Sequence, residues 1–389
     1  MPITNHHWRI AGFYFFYYAF VGMFSPYWSL YLKSIYFDAI DIAILLSIQP
    51  VMRMISPNIW GWIADHTGNR QRVVQVAATL SALCYLGVFA TTSFWGLFLV
   101  LAMMGFFWSA SMPLVEATTL SYLGNNAAHY GRIRSWGSVG YIVSVVGLGY
   151  AFDYVAIAWL LWAGLVCEIG ILIFSRQIPK TEVLAHHTDS HPVRKIVLQP
   201  QVLAFLGACF LMSAAHGSYY TFFSIYLVEH GYAKSSVGWL WAIGVICEIG
   251  VFFLMPWLVR RFGYIRILLF SFSAAIVRFL LIGWGVDFLA ILLIAQVLHA
   301  ATFGAYHAAS VGQIHEYFRG RHQSKGQALF GSLSYGAGGM IGGLASGPLW
   351  LHFGASVLYS CSAGVALLGL LLMLWIQKMT GRQSAEPVS

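Results

Sequence analysis

Long runs of apolar residues, separated by short polar segments, follow one another along this chain. Each run has about 20 residues or more, and a helix of that length crosses the roughly 30 Å hydrocarbon core of a bilayer. The pattern predicts twelve membrane-spanning helices, at 8–33, 40–64, 73–92, 94–123, 135–152, 155–175, 201–228, 236–258, 264–284, 288–314, 326–350 and 355–377. The predicted fold class is therefore an all-α polytopic membrane protein.

One long polar segment divides these spans into two sets of six. It covers 176–200 and reads RQIPKTEVLAHHTDSHPVRKIVLQP, with the charge, histidine and proline content of a linker. We therefore predict an N-terminal six-helix bundle at 1–175, a linker at 176–200 and a C-terminal six-helix bundle at 201–389.

The composition supports a membrane protein. Of the 389 residues, 59% are hydrophobic and 9% are charged, against about a quarter charged in an ordinary soluble domain. The net charge of +8 reflects topology, because most Lys and Arg residues fall in one set of loops or at the chain ends, whereas Lys33 and Lys234 fall in the other set. By the positive-inside rule, the linker and both termini are predicted to be cytoplasmic, in a bacterial inner membrane. Nucleic acid is not an expected partner.

An internal repeat with an offset of 195 residues relates the two halves. The related pairs are YWSLYL (27–32) with FFSIYL (222–227), Gly22 with Gly217, Gly68 with Gly263, and Arg53 with Glu248. Two parallel six-helix repeats are typical of a transporter whose site lies between the halves. No nucleophile–base motif or metal-ligand spacing is present. The sequence thus predicts a transporter rather than an enzyme, without a cofactor or a bound metal.

The segment GWIADHTGNR, at 61–70, resembles the G-x-x-x-D-R-x-G-R signature of the major facilitator superfamily. The matching positions are Gly61, Asp65, Gly68 and Arg70. His66 and Asn69 stand where that family usually has basic residues. The resemblance implies that this motif adjusts the inward–outward equilibrium and does not touch the substrate.

Four further segments resemble the phenylpropionate permease group and its relative, the lactose permease. They are FVGMFSPYWSLYLK, HYGRIRSWGSVGY, AAHGSYYTFFSIYLVEHGYAKSSVGWLWAIGVICE and QVLHAATFGAYH. The resemblance implies the fold of that superfamily, with two pseudo-symmetric six-helix bundles, and proton symport by alternating access.

Glu116 stands in an otherwise uncharged run, LVEATTLSYL. An ionised group at this depth costs about 2.5–3.5 kcal/mol, so it calls for a partner or a function. Arg134 begins the next span, and two adjacent antiparallel helices can bring the two side chains together. We predict that Arg134 binds the substrate with its planar guanidinium and that Glu116 positions it. The alternative is that Arg134 anchors the cytoplasmic loop, as we expect of Arg132.

The lactose permease has a substrate-binding carboxylate and arginine at this spacing, and seven residues past the arginine it has a tryptophan that stacks on the sugar. The resemblance implies that Tyr141 occupies the position of that tryptophan. From the seventh span, His216, Tyr219 and Tyr220 are predicted to line the substrate cavity. Tyr14, Tyr17 and Tyr18 of the first span could line the cavity from the opposite side, but ordinary helix packing is the favoured interpretation.

Arg278 and His299 match the arginine and the histidine of the lactose permease coupling cluster. The proton-carrying glutamate of the permease is replaced here by Thr302, and its glutamate in the eighth span by Val245. Glu248, three residues after Val245, lies on the same helix face. We therefore predict that Glu248 carries the proton and that Arg278 and His299 modulate it.

An alternative leaves the proton with histidines. His299 and His307 are eight residues apart, on one helical face, and histidine titrates near neutral pH without a special environment. Glu168, in LVCEIGILIF, has no evident partner in the sequence, and the one role we assign to it is a hydrogen bond to the third or fifth span.

These features predict proton-coupled symport of a small organic substrate, with an aromatic or other small organic acid favoured. A sugar or nucleoside symporter and an uncoupled facilitator or exporter are the alternatives. The predicted partners are the small-molecule substrate, protons and the lipid bilayer, and the protein is predicted to be a monomer.

Overall fold

The computed structural model describes residues 5–124, 129–180 and 193–383, and the regular structure within these ranges is helical. The long helices are α1 (Asn5–Ser34), α2 (Ala39–Thr67), α3 (Arg70–Tyr85), α4 (Phe94–Leu123), α5 (Tyr130–Tyr154), α6 (Leu160–Ser175), α7 (Pro200–Glu229), α8 (Lys234–Gly285), α9 (Leu289–His299), α10 (Tyr306–Tyr317), α11 (Gln323–Gly331) and α12 (Gly339–Gln383). Shorter helical segments lie at Leu86–Phe89, Ile157–Trp159, Arg194–Val197, Ala300–Ala305, Gly320–His322 and Ser332–Gly338.

Nine helical stretches of the described residues are long and apolar enough to cross a membrane. In this count, residues 289–317 (α9 to α10) form one stretch, and residues 323–380 (α11 and most of α12) form another. Two stretches contain a glycine with non-helical backbone: Gly263 (φ 73°, ψ 164°) in α8 and Gly354 (φ 78°, ψ 178°) in α12. Predicted spans lie on either side of both glycines. The all-α membrane class is thus confirmed, and the count of twelve spans stays a prediction.

Polar side chains and glycines define the ends of the helices around the 61–70 motif. The carboxylate of Asp38 accepts from Asp41 N at 2.8 Å at the start of α2, and Gly68 (φ 62°) ends that helix in the left-handed conformation. The side chain of Asn69 then accepts from Arg72 N at 3.0 Å at the start of α3. Asn69, which departs from the family motif, therefore serves as the N-cap of α3.

The chain divides by its internal contacts into two compact units. Unit 1 comprises 1–187 and 227–242, and unit 2 comprises 188–226 and 243–389. The predicted bundles at 1–175 and 201–389 stay predictions, and residues 181–192 of the linker lie outside the described residues. Within unit 1, α1 packs on α5 and α6, while α4 packs on α2 and α3.

Glycines allow very close helix contacts in both units. In unit 1, a Cβ added at Gly22 of α1 would lie 2.6 Å from the carbonyl oxygen of Tyr141 in α5. In unit 2, a Cβ at Gly217 of α7 would lie 2.3 Å from the carbonyl carbon of Gly342 in α12. Gly22 and Gly217 are a pair in the internal repeat, so both members of that pair lie at a close helix contact. Small residues serve this purpose in membrane helices.

Segment 227–242 is attached to the rest of unit 1 by polar contacts. Lys33 forms an ion pair with Glu229. The carboxylate of Asp153, at the end of α5, accepts from Lys234 N at 2.8 Å and from Ser235 N at 3.3 Å. Asp153 therefore satisfies free backbone N–H groups in the first turn of α8.

Candidate functional site

The helix α4–α5 pair of unit 1 brings Glu116 and Arg134 together. The Arg134 Nε atom lies 3.8 Å from Glu116 Oε1, and the side chains are 29% and 38% exposed, respectively. Tyr130 OH donates to Glu116 Oε1 at 3.3 Å, and Arg134 Nη2 donates to Tyr18 OH. The predicted pair is therefore formed, and both charged groups remain reachable from outside the protein core.

Aromatic rings of α1 surround the guanidinium of Arg134. Its central carbon lies 4.0 Å from the ring centroid of Tyr18 and 5.5 Å from that of Tyr14, within the range of a cation–π interaction. The packing interpretation fits Tyr14 and Tyr17, which are 0% and 6% exposed. For Tyr18 it was incomplete, because that side chain also binds Arg134.

A second cation of unit 1, Arg53 in α2, lies beside the same aromatic group. Its guanidinium carbon is 5.7 Å from the ring centroid of Trp108. The Trp108 ring stacks on Tyr17, with centroids 4.1 Å apart and an interplanar angle of 12°. Arg53 is exposed and has no ion pair within the described residues. The sequence analysis identified Arg53 as the repeat counterpart of Glu248, but it assigned neither Arg53 nor Trp108 to the substrate site.

The other predicted residues of unit 1 have distinct surroundings. Tyr141 is 8% exposed, and its carbonyl oxygen faces Gly22; the stacking role stays a prediction. In the 61–70 motif, Arg70 Nη2 lies 3.9 Å from Asp65 Oδ1. A Cβ at Gly61 would meet no atom within 4 Å. The conformational role of the motif also stays a prediction.

Unit 2 brings Glu248 of α8 and His299 of α9 into direct contact. The Nε2 atom of His299 lies 2.8 Å from Glu248 Oε1, and the side chains are 7% and 12% exposed for His299 and Glu248. Neighbouring glycines leave room for both groups. A Cβ at Gly244 would lie 2.9 Å from His299 Cδ2, and a Cβ at Gly304 would lie 3.2 Å from Glu248 Cγ. The pair is therefore confined as well as buried.

Arg278, in the second part of α8, is 0% exposed. Its Nε atom donates to Ala295 O at 3.1 Å, and its guanidinium carbon lies 4.2 Å from the ring centroid of Tyr219. Tyr219 OH donates to Gln296 Oε1 at 3.0 Å. Arg278 and Tyr219 are thus fixed against consecutive residues of α9.

His216 joins this region from α7. Its Nδ1 atom lies 2.8 Å from Met212 O, and its Nε2 atom lies 3.3 Å from Thr302 Oγ1. Because a carbonyl oxygen only accepts, Nδ1 carries the hydrogen of that contact. Tyr220 is 36% exposed, and its ring lies 5.5 Å from that of Tyr219. The predicted cavity roles of these residues stay predictions.

His299 and His307 share one side of the α9–α10 stretch, as the spacing predicts. The Phe303 ring lies between them, with centroid distances of 5.4 Å to His299 and 6.5 Å to His307 and interplanar angles of 14° and 13°. His307 Nδ1 lies 2.8 Å from Tyr335 OH. The π-helical segments Ala300–Ala305 and Ser332–Gly338 carry Phe303 and Tyr335. Such segments often mark functional sites, and apolar periodicity did not reveal them.

Glu168 lies apart from these groups, between α6 and α3. It is 0% exposed, and its Oε1 atom accepts from Ser81 Oγ at 3.2 Å. The Oε2 atom has no hydrogen-bond partner among the described residues. The contact to the third span is one of the two that the sequence suggested.

A helical membrane chain with confined charged and aromatic groups in its spans has the features of a solute transporter. The sequence model of the MFS_1 like family matches residues 7–361, and the chain belongs to that family. It is therefore a multi-pass membrane transporter and not an enzyme.

Individual relatives agree with this assignment. The chain is 28% identical over 368 residues to the "Probable 3-phenylpropionic acid transporter" of Escherichia coli (strain K12). The matched region covers 92% of this chain and 95% of that relative. It is 24% identical over 371 residues to the maltose permease of Geobacillus stearothermophilus, covering 94% and 93%. The crystal structure of the nucleoside transporter NupG superposes with a TM-score of 0.83 at 15% identity, covering 96% of this chain and 100% of that chain. At that identity, the likeness concerns the fold.

Proposed function

We propose that this protein is a proton-coupled symporter that carries a small organic acid with an aromatic ring into the cell by alternating access. The observation that carries the proposal is the arrangement around Arg134. The proposed location is a bacterial inner membrane, with both termini in the cytoplasm. The relative described as a probable 3-phenylpropionic acid transporter supplies the first substrate to test, 3-phenylpropionate.

The guanidinium of Arg134 has capacity left for a carboxylate. Its Nε atom faces Glu116 at 3.8 Å, which exceeds the usual length of a hydrogen bond. Its Nη2 atom binds Tyr18, and Nη1 makes no hydrogen bond within the described residues. Glu116 therefore orients the cation without occupying it. A substrate carboxylate can accept from the outer nitrogens.

The aromatic part of the substrate has suitable neighbours in unit 1. Tyr18 borders Arg134 and is partly exposed, so its ring can meet the substrate. Trp108 is 3% exposed and stacked on Tyr17 at 4.1 Å, so it packs inside the aromatic group. Rings of this kind interact with a substrate ring in offset or edge-to-face geometry, each pair contributing about 0.5–1.5 kcal/mol. Arg53 beside Trp108 adds positive charge, which favours an anionic substrate.

The proton belongs, in this proposal, to the Glu248–His299 pair of unit 2. When Glu248 is ionised and His299 is neutral, the buried pair carries one negative charge, which burial disfavours. Taking up one proton makes the pair neutral overall. At 2.8 Å, that proton passes between oxygen and nitrogen without a large movement. One monovalent acid anion carried with one proton then makes an electroneutral cycle.

Binding to the purified protein tests the substrate class. We expect 3-phenylpropionate to raise the thermal unfolding temperature in a saturable manner, and 3-phenylpropanamide, the uncharged analogue, to have little effect. A hydrogen bond to a charged group contributes about 1.5–3 kcal/mol. Arg134→Lys should therefore weaken binding roughly ten- to hundredfold. Arg132→Lys, at an exposed arginine of the same helix, is the matched control and should bind like the parent.

Two outcomes would contradict the proposal. Equal binding of the acid and the amide would exclude recognition of a carboxylate. A saturable response to uridine or maltose, with none to 3-phenylpropionate, would instead favour the nucleoside or sugar alternative. Transport separates symport from an uncoupled facilitator, because adding substrate to energy-depleted cells alkalinises the external medium only when protons enter with it.

A further inference from the structure

Unit 2 contains a group of buried hydrogen-bond donors that lack an acceptor. The Nη1 and Nη2 atoms of Arg278, the Nε2 atom of Gln296 and the hydroxyl of Tyr359 have no hydrogen-bond partner among the described residues. All three side chains are 0% exposed. Buried polar atoms are nearly always paired, so several unpaired donors in one region require an explanation.

Shared contacts bring these donors together. Arg278 Nε donates to Ala295 O, the residue before Gln296. Tyr219 lies under the Arg278 guanidinium and donates to Gln296 Oε1, so the amide nitrogen of Gln296 is the part left unpaired.

Tyr359 approaches from α12, on the side of Gly283. A Cβ at Gly283 would lie 2.9 Å from Tyr359 Cβ, and Gly283 follows Arg278 by little more than one turn of α8. Tyr359 is also among the groups that act electrostatically on Arg278. Tyr359 of α12 therefore lies near Arg278 of α8, which in turn contacts α9 at the residue before Gln296.

The charge of Arg278 determines what this region can bind. An arginine side chain keeps its proton in proteins, and an unpaired buried charge is strongly destabilising. Within the described part of the chain, Arg278 has no carboxylate within 4.0 Å. Glu248 acts on it electrostatically but makes its ion pair with His299. A water molecule would satisfy donors but would leave the guanidinium without a counter-ion in direct contact.

We propose that Arg278, Gln296 and Tyr359 form a binding site for a small monovalent anion of the halide class. The guanidinium supplies the charge, and the amide and hydroxyl donate further hydrogen bonds. The site belongs to unit 2 alone and is distinct from the substrate-binding arrangement around Arg134, so its test does not depend on the identity of the substrate.

Thermal unfolding of the purified protein in detergent tests this site. Sodium bromide is titrated against sodium gluconate at constant ionic strength. Because a ligand that binds only the folded state stabilises it by mass action, we expect a saturable rise of the unfolding temperature by roughly 2 °C at tenfold the dissociation constant. A response that grows without saturation is a general salt effect and would overturn the proposal.

Two variants remove donors while retaining side-chain volume. Gln296→Leu and Tyr359→Phe should each weaken the bromide response at least tenfold in concentration. Gln49→Leu is the matched control, because Gln49 of unit 1 is also buried with its amide atoms unpaired; it should keep the parent response. A full response in both test variants would place the anion elsewhere and refute the assignment.

A second measurement does not depend on how well the variants fold. Crystals of the parent protein grown in bromide should show an anomalous-scattering peak within hydrogen-bond distance of the Arg278 guanidinium. Equal unfolding temperatures in bromide and gluconate, together with no such peak, would mean that water alone occupies this region.

Discussion

Replacement of Glu248 by glutamine separates substrate movement from proton coupling. Glutamine has nearly the same size, and its amide can still form a hydrogen bond with His299 Nε2, which lies 2.8 Å from Glu248 Oε1. It cannot take up a proton in the physiological range. We therefore expect Glu248→Gln to fold, bind substrate and exchange it, but not to accumulate it.

The magnitude follows from the single carboxylate–histidine pair. If the pair takes up one proton in each cycle, a gradient of one pH unit supplies about 1.36 kcal/mol for each substrate molecule. That free energy corresponds to a tenfold concentration ratio. The parent should therefore accumulate 3-phenylpropionate up to about tenfold per pH unit, whereas Glu248→Gln should reach a ratio of about one.

Proteoliposomes with an alkaline interior provide the assay. Uptake of radiolabelled 3-phenylpropionate is measured with and without the pH gradient, and counterflow is measured at equal pH. Liposomes without protein give the passive entry of the protonated acid, which must be subtracted. Glu316→Gln, at an exposed glutamate of α10 without an ion pair among the described residues, is the matched control and should accumulate like the parent.

Undiminished accumulation by Glu248→Gln would refute this assignment of the proton. The proton would then belong to His299 or His307, which lie on either side of Phe303. The corresponding glutamine variants would decide between them. Loss of both counterflow and binding would also contradict the prediction, since Glu248 would then act in substrate binding.

Three further predictions concern topology and stability. An impermeant thiol reagent added outside the cell should modify Tyr36→Cys, at a 96% exposed side chain, and spare Ser190→Cys; the reverse labelling would overturn the orientation. Glu168→Gln should raise the unfolding temperature, because an ionised carboxylate is costly where Glu168 is 0% exposed. The advantage of the variant over the parent should grow as the pH rises, and an advantage that shrinks would contradict this prediction. Gly22→Ala should lower the unfolding temperature, because its Cβ would meet a carbonyl oxygen at 2.6 Å, whereas Gly147→Ala meets no atom within 4 Å and should not; equal effects would argue against the close contact.

The fold was accessible from the sequence because its determinants are local or repeated. Apolar length alone identifies membrane helices, since a bilayer imposes one minimum length on all of them. The 195-residue offset pairs Gly22 with Gly217, and the structure shows a close helix contact at both positions. Residues Gly68 and Gly263, another pair, have positive φ values of 62° and 73°, so the repeat extends to the backbone conformation.

The charged pairs were partly accessible. Glu116 and Arg134 lie 18 residues apart on the consecutive helices α4 and α5, so the chain itself restricts how far apart they can be. The contact between Glu248 and His299 joins α8 to α9, and it was expected only through resemblance to a permease in which other positions carry the glutamates. Periodicity places a side chain on a face but does not identify the helix that faces it.

The aromatic partners were missed for a related reason. Tyr18 and Trp108 belong to apolar spans rich in aromatic residues, where ordinary packing is the more frequent explanation. Only the structure distinguishes Tyr18, which accepts a hydrogen bond from Arg134, from Tyr14 and Tyr17, which are almost fully buried. The unpaired donors of Gln296 and Tyr359 had no sequence signal at all, because an amide and a hydroxyl in a span usually find a partner.

The repeat also bears on why the two units carry different chemistry. Arg53 and Glu248 are related by the 195-residue offset, yet one is an exposed cation beside Trp108 and the other a buried carboxylate bound to His299. A cation at this position attracts an anionic substrate without giving up its proton, since arginine does not deprotonate in proteins. A buried carboxylate is suited to the opposite task, because burial makes its neutral, protonated form accessible. In the proposed mechanism, the duplicated position therefore serves charge attraction in unit 1 and proton uptake in unit 2, and exchanging the two residue types would abolish both.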